Sequence, residues 1–559
     1  MRFLNIPHLV LALAVKSASA ARSVAPAIVL LAAVAQLSPV AWSHSSPEAE
    51  QGQVAATMQP DRNIVRGETG LTAAGEPQLS ERPYTKILSN WLKAPVLKQS
   101  QVGVELMDLP SGQILFSSNG NKRFTPASTA KVFTTACALD TLGADFRYRT
   151  YLEAYGPIKK DRLAGDLVIV PSQDPTFETG NLCQLLSGLA AKKIKYIDGR
   201  VELAPVPGGY DQFNTSWLAE DWGQEWMPVS SNLVLDRNIA PGRDPGRGIP
   251  AIDMSRDDTR SALLGSLLRC DMAPGWVYMD TATRTARVSR SSAPTISAAA
   301  SLVVANPDDY NLSVAQTIMH GMGIRYKTSQ PSLHANESPQ VVAEYYSKPV
   351  TEIIRECLKE SDNLYAQQLL RTIGWKTRGA RVPDTTTLEE GGLLHLRQWL
   401  TSLGVSREDV VLVDGCGLSR KNCVTPHSLN CVVKHMAGKD LHGVYIELLR
   451  LEGTNGSFFR YKTGAMDSVR TVTGLIHTAG GNTLALTVMV NGHLPQIGPV
   501  RSCIYSLTSQ LEAMPAYHLA GAPVQEAPSE SVAPEPARTQ SKQSAGQSTS
   551  RPRRHKRRH

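Results

Sequence analysis

Apolar and polar positions along the chain change their period several times. Val102, Val104 and Leu106 alternate, Pro110-Ser111-Gly112 marks a turn, and Ile114 and Phe116 alternate again. This pattern predicts a β-hairpin with one buried face. Thr125-Pro126 reads as an N-cap followed by a first-turn proline, opening a helix that runs to Leu142 and stops at Gly143. Val350, Ile353, Ile354, Cys357 and Leu358 recur at helical spacing, as do Ala366, Leu369, Leu370 and Ile373 before Gly374. Near the end, residues 472–477 and 484–490 flank the turn Gly480-Gly481-Asn482, a second hairpin. Val500, Cys503, Ile504, Leu507 and Leu511 then line a closing amphipathic helix. Strands at both ends with helices between predict an α/β (α+β) body, an antiparallel sheet with one face covered by helices.

The pattern breaks at both ends. Arg2 precedes the apolar run 9–15, which closes on Ala18-Ser19-Ala20, and a second apolar stretch, 24–42, follows Arg22 and closes on Ala41-Trp42-Ser43. Both have the build of secretory signals, with a positive start, an apolar centre and small residues at the end. The second is long enough to span a bilayer, but Pro26 and Pro39 interrupt it. Residues 1–43 are therefore expected to be a signal peptide or N-terminal anchor, with export and cleavage near Ser43 favoured. Residues 44–80 read as a flexible leader and 81–514 as the folded body. Residues 515–559, rich in Pro, Ser, Gln, Ala and Glu before turning basic, read as a disordered tail.

Composition narrows the function classes. Across 559 residues a hydrophobic share of 42% excludes wholesale disorder, and a charged share of 19% excludes a charge-laced coiled coil. The net charge is +8, but six positives sit at Arg551, Arg553, Arg554, Lys556, Arg557 and Arg558. The rest is nearly neutral, so no nucleic-acid partner is expected. The eight cysteines contain no CxxC pair, which argues against a zinc ribbon and leaves disulfide pairing open.

Three short motifs carry candidate chemistry. Ser128-Thr129-Ala130-Lys131 puts a hydroxyl and an amine one helical turn apart on one face. A lysine there is placed to take the serine proton and make it a nucleophile. Ser361-Asp362-Asn363 lies between two helices, where Ser361 offers a proton relay and Asn363 a partner for a substrate amide. Lys462-Thr463-Gly464 opens the last strands; its ammonium and hydroxyl suit a substrate carboxylate, and Gly464 lets an extended substrate approach the strand edge. The trio, in this order and each on its expected element, is the set used by penicillin-binding proteins and class A β-lactamases.

Spacing chooses between those relatives. Ser128 and Ser361 stand 233 residues apart, too far for a compact β-lactamase. The intervening Gly165-Asp166-Leu167-Val168-Ile169-Val170, Gln173-Asp174-Pro175-Thr176-Phe177 and Met227-Pro228-Val229-Ser230-Ser231-Asn232, and the later Asp414-Gly415-Cys416-Gly417-Leu418-Ser419-Arg420 and Val424-Thr425-Pro426, add further marks. On these residues the chain resembles D-alanyl-D-alanine carboxypeptidases/endopeptidases of the penicillin-binding protein four type, over roughly residues 85–514. The resemblance implies a transpeptidase-like domain (81–150 and 341–514) interrupted by an inserted β-rich module (151–340). It implies that Ser128 is acylated by the penultimate D-Ala carbonyl, with Lys131 as base and Ser361 as proton relay. Lys462 would tune the site, Thr463 hold the terminal carboxylate and Asn363 the substrate backbone. The N–H groups of Ser128 and Ala465 would form the oxyanion hole. No metal or organic cofactor is implied. The implied partners are peptidoglycan peptides ending in, or cross-linked through, D-Ala, with β-lactams as covalent inhibitors. The implied location is the periplasm or cell envelope, where the basic stretch from Arg551 to His559 suits an anionic polymer. Cys416 stands where the family usually has Ser, and Ala465-Met466 replaces the usual Thr-Leu. The competing readings are a non-catalytic wall-binding scaffold of the same fold, which would not trap a labelled penicillin, and a β-lactamase, which would turn it over quickly.

Overall fold

The computed structural model describes residues 82–205, 307–327, 338–378, 386–438, 443–454, 456–493 and 497–517, most of 213–240, and strand pieces at 277–280, 285–288 and 302–303. The expected signal (1–43), leader (44–80) and all but the first residues of the tail lie outside the described residues.

The described chain opens with α1 (Pro83–Trp91), started by a proline in its first turn. Strands β1 (Gln101–Asp108) and β2 (Ile114–Ser118) form the expected hairpin, with Leu106 opposite Phe116. The Asp108 carboxylate closes its turn by accepting from the Ser111 N–H at 3.0 Å and hydroxyl at 2.6 Å. A 3-10 turn (Ala127–Ala130) leads into α2 (Lys131–Leu142), which ends at Gly143 with φ 84°. Thr125 does not cap this helix: Pro126 and Ala130 hold the cap positions, neither with a side-chain cap bond. The nucleophile candidate therefore sits on the tight turn before the helix proper.

Next come β3 (Arg149–Tyr155), β4 (Asp166–Val170), α3 (Thr179–Ala191), β5 (Val201–Leu203), α4 (Pro307–Gly321) and β6 (Gln340–Tyr346). They build a four-stranded sheet, order β6-β3-β4-β5, and a core of their own that includes Leu152, Ile169, Leu186, Val314 and Val342. The chain then runs through α5 (Val350–Glu360), α6 (Asn363–Thr377), α7 (Leu388–Ser402) and α8 (Pro426–Gly438). It finishes with β7 (Arg450–Gly453), β8 (Phe458–Met466), β9 (Val469–His477), β10 (Thr483–Asn491) and α9 (Ile497–Glu512).

The main sheet has the order β7-β8-β9-β10-β1-β2, every neighbouring pair antiparallel. The first strand, β1, and the last, β10, thus lie side by side within the sheet, where Val104 pairs with Val488. The expectation of one helix-covered face is corrected here. Val104, Leu106 and Leu486 pack with Leu88 of α1 and Leu507 of α9. Met107, Ala485 and Met489 share a second core with Phe133 of α2, Ile354 of α5, Leu369 of α6 and Leu429 of α8. Both faces are covered, so β1 is buried without a break from Gly103 onward, and alternation could not report the second layer. Gly374 lies inside α6, which continues to Thr377; a Cβ there would lie 2.0 Å from the Leu388 carbonyl oxygen and 2.7 Å from Gly392 N, so it lets α6 and α7 pack closely.

Candidate active site

Three elements compress the turn that carries Ser128. Ala127 holds φ 48°, a left-handed conformation that costs a non-glycine residue about 1 kcal/mol. Gly417 sits against it: a Cβ at Gly417 would lie 1.9 Å from the Ala127 carbonyl oxygen. Gly464 of β8 presses from the sheet side, where a Cβ would lie 2.2 Å from Thr471 Oγ1, 2.6 Å from the Pro126 oxygen and 3.0 Å from Ser128 N. Hydroxyls of Thr129 and Thr471 both donate to that Pro126 oxygen at 2.7 Å. The motif alone suggests that Gly464 admits substrate to the strand edge; its contacts show that it lets β8 approach the backbone of the nucleophile turn.

Lys131, the first residue of α2, is fully buried. Its Nζ lies 3.0 Å from Ser128 Oγ, 2.6 Å from Asn363 Oδ1 and 2.7 Å from the Cys416 carbonyl oxygen. Those last two are pure acceptors. Lys131 Nζ donates to both of them and to the Ser128 hydroxyl, so all three hold the amine against the nucleophile. The Cys416 carbonyl is held by Asp414, whose carboxylate accepts from the N–H groups of Cys416 (3.2 Å), Gly417 (2.7 Å) and Ser419 (2.7 Å). Asp414 also receives the Asn422 amide at 3.0 Å and the Trp217 indole at 2.8 Å. In the sequence Asp414 carries no evident task; the signal for it is an Asp followed by Gly-x-Gly, a turn pattern. The Cys416 thiol is buried and its ionisation pushed well up, first by burial and then by Asp414, so it stays neutral beside the lysine.

Ser361 caps the C-terminus of α5 in a left-handed conformation, φ 61°. Asp362 caps α6, accepting from Tyr365 N at 3.1 Å. The two helix ends therefore place Ser361 and Asn363 side by side. Lys462 Nζ donates to Ser361 Oγ at 2.9 Å and to the Thr463 carbonyl at 2.8 Å. Lys462 is held well below its ordinary value, first by burial and then by Lys131 nearby. Thr463 thus enters this network through its carbonyl; its side chain is half-buried and Ala465 is exposed. Beyond the partners of β7, which pair only with Phe458 to Tyr461, the β8 edge from Lys462 to Met466 is unpaired by β7.

The stretch 213–240 reaches this site too. The Asn363 side chain donates to the Trp226 carbonyl, and Arg237 forms an ion pair with Asp362. Neither residue stood out in the sequence, because a lone Trp or Arg in a long connection carries no motif.

A serine hydroxyl, a buried amine in contact with it and an adjoining strand edge define a serine-type hydrolase. A profile of the D-Ala-D-Ala carboxypeptidase 3 (S13) family matches residues 84–502, and the chain belongs to that family. It is accordingly a serine-type D-Ala-D-Ala carboxypeptidase. Among its relatives, "D-alanyl-D-alanine carboxypeptidase DacB" of Haemophilus influenzae is 25% identical over 427 residues, 70% of this chain and 86% of that protein. The "D-alanyl-D-alanine carboxypeptidase" of Actinomadura sp. is 24% identical over 451 residues, 72% of this chain and 80% of its own length. The crystal structure of penicillin binding protein 4 from H. influenzae superposes with a TM-score of 0.61 at 23% identity, covering 76% of this chain and 99% of that one.

Proposed function

We propose that Ser128 is the acylated nucleophile of a DD-carboxypeptidase acting on peptidoglycan peptides, and that the same site accepts β-lactams. The observation that carries the assignment is the 3.0 Å contact between Lys131 Nζ and Ser128 Oγ. Lys131 takes the hydroxyl proton as Oγ attacks the penultimate D-Ala carbonyl. The N–H groups of Ser128 and Ala465 receive the oxyanion, an assignment supported by the closeness of Gly464 to Ser128 N. Ser361, in contact with Lys462, passes the proton to the departing D-Ala amine, and water then releases the acyl-enzyme. Asn363 holds Lys131 in the free site and meets the substrate backbone in the loaded one, while Thr463 takes the terminal carboxylate. The unpaired β8 edge receives the extended peptide. A peptide cross-linked through D-Ala offers the same scissile bond, so endopeptidase action belongs to the same reading.

Two further assignments rest on this one. A module is inserted into the catalytic domain; the expected bounds of 151–340 widen to about 149–346, a reading supported by the separate core around Ile169 and Val314 and by β3 and β6, which share its sheet from Arg149 and up to Tyr346. The enzyme works outside the cytoplasm, in the periplasm or envelope, as its N-terminal signal pattern and its polymeric substrate require. Among the described residues no helix is long and apolar enough to cross a membrane.

Ser128→Ala tests the core of the proposal. The variant should fold, since Ala fits a helical turn, yet intact-mass analysis after penicillin should find no penicilloyl adduct. An adduct on that variant would overturn the assignment.

A further inference from the structure

Glu105 on β1 and His427 and Cys431 on α8 form a second group of chemistry-bearing side chains, and none of them belongs to the Ser128 site. His427 and Cys431 are four residues apart on one helix face. Cys431 Sγ lies 3.4 Å from His427 Nε2, and His427 Nδ1 lies 3.0 Å from Glu105 Oε1. The order is nucleophile, base and orienting carboxylate. Bonding through Nδ1 to the carboxylate turns Nε2 toward the sulfur.

The carboxylate is itself fixed. Glu105 is 1% exposed and accepts from Asn430 Nδ2 at 3.2 Å, and that same amide donates to the Glu105 carbonyl at 3.1 Å. Asn430 Oδ1 accepts from Thr487 at 2.8 Å, and Thr487 meets Thr473 at 2.7 Å. A buried carboxylate among apolar side chains is costly unless fully bonded, and this one is braced by two strands and a helix. The open end faces outward: Cys431 is half-buried and the His427 side chain is 30% exposed. His427 is pushed up to about 10, first by its bond to Cys431 and then by Glu105, and these two are the titratable groups that act on it. The imidazole therefore keeps its proton at neutral pH, ready to balance a negative sulfur.

We propose that Cys431 is a reactive thiol, activated by its contact with the His427 imidazole that Glu105 orients, and that it forms mixed disulfides with small disulfides. In the step, Sγ attacks one sulfur of R–S–S–R, a Cys431 S–S bond forms, the R–S–S–R bond breaks, and RS⁻ leaves to take the proton held by His427. Cys431 is oxidised and the incoming disulfide is reduced. Acyl transfer is the poorer match, because the neighbouring N–H donors are already spent, His427 N on the Gly120 carbonyl at 3.0 Å and Ser428 N on Thr425 Oγ1 at 3.1 Å.

The test is the reaction of the whole protein with 5,5′-dithiobis(2-nitrobenzoate), read as released thiolate and located by peptide mass. At pH 6.5 Cys431 should react about tenfold faster than the other half-buried thiols among the described residues, Cys183, Cys423 and Cys503. Its rate should change less than about threefold up to pH 8, where an unassisted thiol gains more than about tenfold. His427→Asn should slow Cys431 by about tenfold at pH 6.5 while a cooperative thermal transition persists. If that variant fails to fold, the wild-type pH profile alone decides. A Cys431 rate no higher than those of the other three, or one that climbs with pH as an ordinary thiol does, would overturn the proposal and leave His427 as the counter-ion of a buried glutamate.

Discussion

Gly464 shows how a motif can be legible while its physical reason is not. Sequence alone picks out Lys462-Thr463-Gly464, because the three residue types recur together in one order with the two serine motifs. It cannot show that Gly464 is required by contact with Pro126, Ser128 and Thr471, residues more than three hundred positions away or on the next strand. The same holds for Gly417 against Ala127. A consequence at this scale is that Gly464→Ala should act on rate more than on stability. Its Cβ must displace the nucleophile turn by a few tenths of an ångström or more, and overpacking of this kind costs about 1–3 kcal/mol. A misplacement approaching 1 Å costs about a hundredfold in rate. Penicillin acylation should fall by about that factor with the protein still folded, as measured by stopped-flow labelling beside a thermal melt. Equal acylation rates would show that the turn yields without moving Ser128.

At the scale of elements, what the sequence displays is periodicity, and it serves best where one face is buried. The α5 and α6 helices, both hairpins and α9 are legible for that reason. The second helical layer on the main sheet is not, since β1 is buried on both faces and its alternation disappears. Polar links between elements are hidden as well. Arg371 on α6 is fully buried, bonded to the Ser231 carbonyl at 2.6 Å and to Asn232 at 3.2 Å, with Glu389 of α7 as its ion partner at 3.2 Å. Gln368 beside it reaches the Gln173 carbonyl at 3.3 Å. Asp174 lies next in that strand-end segment, buried, with one oxygen bonded to Thr176 and the other without a hydrogen-bond partner among the described residues. Burial raises its carboxyl from 3.8 to about 6 against the opposing Thr176 bonds. Because the folded state holds the proton more tightly, this group's contribution is fully present below about pH 4 and is lost as pH rises through 6. The loss amounts to about 3 kcal/mol. Asp174→Asn keeps the neutral shape at every pH, so its melting temperature should fall less than the wild type's between pH 4 and 6.5. Parallel melting curves across that range would show that Asp174 ionises there as easily as it does in the unfolded chain.

At the scale of the whole molecule, charge is distributed as unevenly as chemistry. Six of the excess positives fall within residues 551–559, and the remainder of the chain carries a net charge of about +2. A nearly neutral body has little long-range pull on an acidic surface, whereas six fixed charges in nine residues have a strong one. We propose that this end tethers the enzyme to anionic polymer of the envelope, which would keep a hydrolase close to a substrate that does not diffuse. Such attachment is electrostatic and additive per charge, so it weakens steeply with salt, while acylation of Ser128 beside the buried Lys131 does not. Deleting residues 551–559 should leave hydrolysis of a small D-Ala-D-Ala peptide unchanged and reduce co-sedimentation with isolated envelopes at low salt. The difference should vanish near 0.5 M salt, where the Debye length shrinks to a few ångströms. Equal sedimentation of the full-length and shortened proteins at low salt would remove the tether and leave the basic end as a solvated tail. A fall in peptide hydrolysis would instead show that those charges act on the catalytic body itself.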